Sequence, residues 1–243
     1  MFIFLLKIKK LILDILFPVT CLACGRDGIY LCPECWKKIP VTEEFFCPFC
    51  RRPSLRGEPH QACARQTRLD GLLVAGDWEN KILRRAIHRF KYNFLQDLKK
   101  PLGEILSAKI KQSDRYFSPT ISGGYFDFLL PVPLHPKRKF WRGFNQAQLL
   151  ALELAEFFKI PTVSEAVVRV KKTKTQVGKN QKARRKNMQG AFQVRTDFEE
   201  MIKGKRILLV DDVVTTGETM EAMALVLRAA GAAEVWGLCL ARG

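Results

Sequence analysis

Seven cysteines fall between residues 21 and 63, and their spacing leaves that stretch few ways to fold. Cys21 and Cys24, Cys32 and Cys35, and Cys47 and Cys50 are each separated by two residues, and Cys63 follows His60 at the same interval. A tight turn with two intervening residues aims both side chains at one ion, and backbone N–H groups of the turn can bond the thiolates. Four such hooks supply eight ligands, Cys21, Cys24, Cys32, Cys35, Cys47, Cys50, His60 and Cys63, enough for two tetrahedral zinc sites. Disulfides are the rival reading, but an odd cluster leaves a thiol over and no export signal points to an oxidising compartment. Redox chemistry expects one Cys-x-x-Cys on a helix N-terminus, not a succession of them. Sequential pairing puts Cys21, Cys24, Cys32 and Cys35 on one ion and the other four ligands on the second, with an interleaved pairing left open. No position suggests an open coordination site, so the expected zincs are structural. Cys239, alone in an apolar run, reads as a buried core thiol.

Beyond residue 70 the pattern changes. Apolar runs at Leu72–Ala75, Phe126–Val132, Val163–Val170, Ala191–Val194, Arg206–Val210 and Glu234–Ala241 read as strands. Between them, Ile82, Leu83, Ala86, Ile87 and Phe90 mark one face of a helix, Pro101 opens another to about Tyr116, and further helices run from Phe144 to Phe158 and from Glu218 to Ala230. Near-continuous apolar strands alternating with helices predict an α/β fold, a mainly parallel sheet covered on both faces. Ligands of such sheets bind at the carboxyl ends of the strands. The first 16 residues are apolar but broken by Lys7, Lys9, Lys10 and Asp14, which denies them the roughly 20 apolar residues of a membrane span. Their periodicity predicts an amphipathic helix ending before Pro18, packed on the protein itself, with attachment to a membrane surface as the alternative. The expected division is a helix over 1–17, a double zinc ribbon over 18–68 and an α/β domain over 69–243.

One strand end is chemically loaded. After Ile207–Val210 come Asp211 and Asp212, two adjacent carboxylates that repel unless a cation or hydrogen-bond donors sit beside them. Thr215, Thr216, Gly217, Glu218 and Thr219 follow at the start of a helix, where free N–H groups and the dipole favour an anion. Gly217 allows close backbone approach and the threonine hydroxyls add donors. A sugar phosphate suits the combination, with carboxylates on ribose hydroxyls and amides on the phosphate.

Ile207–Thr219 closely resembles the phosphoribosyl pyrophosphate signature of type I phosphoribosyltransferases. More narrowly, the chain from about Phe17 to Leu240 resembles the ComF family, which includes the GntX-like proteins. The resemblance rests on the Cys-x-x-Cys hooks, His88-Arg89-Phe90-Lys91-Tyr92, Pro131–Leu134, Arg142–Gln146 and the signature itself. It implies a type I phosphoribosyltransferase fold, with Asp211 and Asp212 on the ribose hydroxyls directly or through Mg²⁺ and with 215–219 on the 5′-phosphate. Pro133 and Leu134 fall on the pyrophosphate-contacting loop, and Lys137, Arg138 and Arg142 just beyond suit a pyrophosphate. Two departures stand out: His60 replaces the first cysteine of the last hook, and Thr215 stands where purine-salvage relatives can carry a carboxylate for the base. Purine salvage is therefore not expected. No residue identifies a catalytic base or the acceptor nucleophile.

Charge completes the picture. Forty-one Lys and Arg against 24 Asp and Glu leave +17, an excess that attracts phosphates, nucleic acid or acidic lipid. Eight of the cations lie in 171–186, with no acid among them; Lys179, Lys182, Arg184 and Arg185 are candidate nucleic-acid contacts, and a solvated loop is the plain alternative. Phe140, Trp141 and Phe144, interleaved with Lys137, Arg138, Lys139 and Arg142, match a base-stacking platform better. The resemblance implies a cytoplasmic protein of natural transformation that handles single-stranded DNA beside DNA-uptake and helicase proteins. Two alternatives keep the fold without the chemistry: a module that senses phosphoribosyl pyrophosphate, and a zinc-ribbon nucleic-acid binder with a vestigial pocket.

Overall fold

In the computed structural model, residues 19–92, 95–117, 119–170 and 190–243 are described. The expected N-terminal helix and the candidates Lys179, Lys182, Arg184 and Arg185 lie outside those residues. Four strands, β1 (Gly71–Asp77), β2 (Phe128–Pro131), β5 (Arg206–Val214) and β6 (Glu234–Arg242), form one parallel sheet in the order β1-β6-β5-β2. The expected α/β class is what forms. Strands β3 (Val167–Arg169) and β4 (Phe192–Val194) pair antiparallel as a separate ribbon, shorter than their apolar runs and outside the parallel sheet.

The sheet is buried on both faces because its side chains alternate. Leu208 and Val210 of β5 face a cluster with Leu83, Ile87 and Phe90 of α2 (Lys81–Tyr92), Leu102 and Ile105 of α3 (Lys99–Ser113), and Leu150 and Leu154 of α5 (Gln146–Phe158). Ile207 and Leu209 face the other cluster, with Ile202 of α6 (Glu199–Ile202) and Met220, Met223 and Leu227 of α7 (Glu218–Ala229). Gly71 is required where it stands, since a Cβ there would lie 2.1 Å from the Trp236 ring on the neighbouring strand.

Two further features depart from the sequence expectation. Pro136–Arg142 forms a short helix, α4, with Pro136 in its first turn and His135 Nδ1 accepting from the Lys137 N–H (3.2 Å), a capping role seldom given to histidine. Strand β5 runs through the acidic pair to Val214 instead of stopping at Val210. It continues because β6 runs beside it, with Asp211 opposite Cys239 and Val214 opposite Arg242.

The cysteine-rich segment, which includes the four-residue helix α1 (Pro33–Trp36), packs along β1, the edge strand. The Thr42 N–H donates to the Ala75 carbonyl (2.9 Å) and the Leu72 N–H to the Gly57 carbonyl (3.0 Å), so the edge is covered on its open side. Lys109 of α3 fastens the stretch between the two cysteine clusters. It is fully buried, its Nζ donates to the carbonyls of Thr42 (2.7 Å) and Glu44 (3.3 Å), and it lies 4.0 Å from the centre of the Phe45 ring. Burial draws its pKa down to about 8. Lys109→Ala leaves those carbonyls without their donor and opens a void. We expect a loss of about 2–4 kcal/mol, read as a lower denaturant midpoint with an unchanged slope.

Candidate functional site

Eight ligand atoms gather into two groups, Cys21, Cys24, Cys32 and Cys35 in one and Cys47, Cys50, His60 and Cys63 in the other, each with its atoms within 4.8 Å of one another. The sequential pairing is the one that forms. Four Zn–S bonds of about 2.3 Å at tetrahedral angles put sulfurs about 3.8 Å apart, and Cys24 Sγ lies 3.7 Å from Cys32 Sγ. In the second group His60 Nδ1 lies 3.3 Å from Cys50 Sγ, while its Nε2 sits 2.9 Å from the Pro53 carbonyl. A proton on Nε2, donated to Pro53, leaves the Nδ1 lone pair for a metal. The backbone N–H of Arg52, working against desolvation, draws the Cys50 thiol down to about 6, so the thiolate form a metal needs is within reach. Both donor sets therefore fit structural zinc.

The second candidate site lies at the carboxyl edge of the sheet. Strand β2 ends at Pro131, opposite Val210, so Asp211 and Asp212 project past it while remaining paired to β6. Pleating sends the two side chains toward opposite faces of the sheet. Asp212 is buried and ion-paired to Lys91 of α2, Oδ1 to Nζ at 2.7 Å. This is the cation that the adjacent carboxylates demand. Lys91 was not among the predicted site residues, although it sits in the family-like segment His88–Tyr92, and only the packing of α2 reveals its partner. Asp211 keeps a little accessible surface, yet burial and the Asp212 charge push its pKa up to about 7, with Lys91 and Arg169 of β3 pulling the other way.

Past Val214 the chain turns through Thr215 and Thr216 to Gly217, the residue before α7, which has φ +80° and so requires glycine. Helix α7 presents its first N–H groups there. Glu218 is buried, and among the described residues its Oε2 has no hydrogen-bond partner. The cysteine-rich segment reaches this turn as well. The Pro48 carbonyl lies 3.6 Å from where a Cβ on Gly217 would stand, and Arg242, at the end of β6, donates to the Arg51 carbonyl (2.7 Å) and lies 3.9 Å from the Phe46 ring centre.

On the β2 side, Pro133 and Leu134 lead into α4, which carries Lys137, Arg138 and Arg142. Arg142 bonds Gln146 Oε1 (3.1 Å) and lies 4.9 Å from the ring of Tyr92, next to Lys91. Desolvation lowers the pKa of Arg169 of β3, with the charge of Arg138 acting in the same direction and that of Asp211 against it. Arg169 is a second residue the sequence did not single out; a lone arginine in a short strand gives no local signal. Phe140 and Trp141 are 86% and 79% exposed, whereas Phe144, expected beside them, is buried against Phe90 at 5.8 Å between ring centres. The correction follows from Gly143, whose φ of +71° ends α4 and turns Phe144 inward.

Two outcomes test this geometry. Metal analysis of the purified chain gives two zincs and of His60→Ala one, because loss of a ligand opens the second site; a His60→Ala protein that keeps both ions refutes the assignment. Asp211 has a folded-state pKa raised from 3.8 to about 7, so its contribution to stability is full below 3.8 and is lost as pH rises through 7. Asp211→Asn does not titrate and gains on the wild type across that window. Thermal melts at pH 8 place the variant roughly 4–8 °C higher, with a smaller gap at pH 5.

Comparison with known proteins bears on both sites. The phosphoribosyl transferase domain model matches residues 142–243, and the double zinc ribbon domain model matches residues 12–65. Competence protein F of Haemophilus influenzae is 32% identical across 93% of this chain and 98% of its own length. DNA utilization protein YhgH of Escherichia coli K12 is 31% identical, covering 90% of this chain and 92% of its own. Competence protein ComFC of Bacillus subtilis is 31% identical, over 84% of this chain and 80% of its own. A double zinc ribbon joined to a phosphoribosyl transferase domain, alike along nearly the full length of competence protein F, makes this chain a member of the ComF family.

Proposed function

We propose that the chain binds phosphoribosyl pyrophosphate with Mg²⁺ at the carboxyl edge of the sheet, and does so in handling incoming single-stranded DNA during natural transformation. The observation that carries the reading is the carboxylate pair Asp211–Asp212, held beside Lys91 directly before the glycine-capped N-terminus of α7. In this reading the pair takes the ribose hydroxyls, directly or through Mg²⁺, which Asp211 and Asp212 would hold and which would offset the negative charge of the ligand. The turn 215–219 takes the 5′-phosphate on backbone N–H groups and threonine hydroxyls. Pro133, Leu134, Lys137, Arg138 and Arg142 take the pyrophosphate, with Arg169 as an added cation. Residues 18–68 serve as the zinc-held ribbon and 69–243 as the ligand-binding domain of a cytoplasmic protein. No helix among the described residues is long and apolar enough to cross a membrane.

The DNA setting is supported by the names of the relatives, two competence proteins and a DNA utilization protein. If the site turns over, pyrophosphate leaves C1 of the ribose as a nucleophile from the acceptor forms the new bond there, with the cations of α4 on the departing charge.

Calorimetry with phosphoribosyl pyrophosphate and Mg²⁺ gives saturable heat in the wild type and none in the Asp211→Asn/Asp212→Asn variant, whose circular dichroism and zinc content stay unchanged. Equal affinity in the two proteins refutes the site. A pyrophosphate-release assay over candidate acceptors then separates a transferase from a sensor.

A further inference from the structure

Helix α2 has the sequence Lys81-Ile-Leu-Arg-Arg-Ala-Ile-His-Arg-Phe-Lys-Tyr92: five Lys or Arg, one His and no acid in 12 residues. Its apolar face, Leu83, Ala86, Ile87 and Phe90, is buried in the core. Lys81, Arg85 and Arg89 therefore stand at successive i, i+4 positions on the exposed face, with Tyr92 at its end. Like charges at that spacing destabilise a helix by a few tenths of a kcal/mol per pair. Few carboxylates offset them: Arg84 approaches Glu79 only to 4.0 Å, and Arg85 donates to the Leu22 carbonyl at 2.6 Å.

This face is one wall of a groove of about 1030 Å³. The other wall comes from the turn of the first cysteine cluster and from Lys38. Among the described residues, Lys38, Lys81, Arg84, Arg85, Arg89 and Lys91 line it, and no carboxylate does. At one end lies Lys91, ion-paired to Asp212, so the groove leads to the acidic pair. Past Tyr92 comes Arg142, and on the same short helix Phe140 and Trp141 stand exposed in water.

We propose that this groove is a track for single-stranded nucleic acid. Phosphates run along the α2 cations, and bases stack on Tyr92 and on the aromatics of α4. The chemistry selects this occupant. A concave wall of cations attracts a polyanion. Unstacked bases use exposed aromatic faces, which a duplex has no means to reach. A lipid surface is met by a convex apolar face edged with cations, not by a recessed one. The track deepens the proposed function by adding a site for the strand, and it rests on that reading only for where the strand ends.

The test is fluorescence anisotropy of a labelled oligothymidylate on the full zinc-loaded chain across a salt series. Each neutralised phosphate contributes about −0.7 to the log–log slope for single strands. The variant Lys81→Ser/Arg84→Ser/Arg89→Ser should flatten the slope by about 2 and weaken binding at least tenfold near 50 mM salt, three contacts at that increment. The charge-conserving Lys81→Arg/Arg84→Lys/Arg89→Lys variant should restore both. Should the serine triple lose its zinc, Lys81→Ser and Arg89→Ser singly, both at exposed positions, should each flatten the slope by about 0.7. An unchanged slope in the serine variants overturns the track, as does an arginine–lysine swap as weak as the triple. So does a variant that releases phosphatidylserine vesicles yet keeps the oligonucleotide. Phosphoribosyl pyrophosphate calorimetry on the serine triple should match the wild type. No heat in the wild type refutes the proposed function and leaves the groove to be judged by anisotropy alone.

Discussion

The pairing of β5 with β6 continues four residues beyond the point where β2 stops, and the geometry of the sheet edge follows from that inequality. Were both neighbours to end at Val210, the acidic pair would lie in a loop, hydrated and free to separate. Held in register on one side only, Asp211 and Asp212 are fixed in direction and desolvated, yet open past the end of β2. Desolvation raises Asp211 toward neutrality, while Lys91 keeps Asp212 matched with charge. Under the proposed function, a site prepared in this way would meet its ligand with groups already fixed in direction, the general basis of tight recognition.

The cysteine-rich segment is more than an appendage. It bonds the open edge of β1 at two places, is pinned from below by the buried ammonium of Lys109, and reaches the turn at Gly217 through Pro48 and Arg242. A segment this small has little core of its own, so metal binding supplies folding free energy that a hydrophobic interior cannot. The ligand-ready second cluster and the turn at Gly217 are therefore parts of one packed assembly.

Charge is distributed with the same economy of contact. The helix α2 turns its apolar stripe to the sheet and its cations to a groove, but its last turn serves both sides. Lys91 neutralises the acidic pair, and Tyr92 carries the guanidinium of Arg142. One helix thus connects the carboxylate site with a cationic surface and with the exposed aromatics of α4. Linkage between ligands at the two places would run through this turn, since any cation that binds Asp212 competes with Lys91.

What the sequence by itself determined is whatever lies within one turn of chain. The Cys-x-x-Cys and His-x-x-Cys hooks, the apolar run before two aspartates, and the Thr-Thr-Gly at a helix start follow from local spacing, and periodicity was enough for the parallel α/β class. The tertiary structure decided everything that joins distant segments. It selected sequential over interleaved ligand pairing, carried β5 on to Val214 because β6 runs beside it, and set the short β3–β4 ribbon apart from the sheet. It also brought Lys91 to Asp212 and Arg169 toward Asp211, across separations of 121 and 42 residues in sequence. Phe144 shows the limit most plainly: three aromatics among cations look alike in sequence, but a left-handed Gly143 turns one into the core and leaves two in water. Side-chain spacing is a property of the local backbone, whereas register, burial and ion pairing depend on which elements the chain folds together.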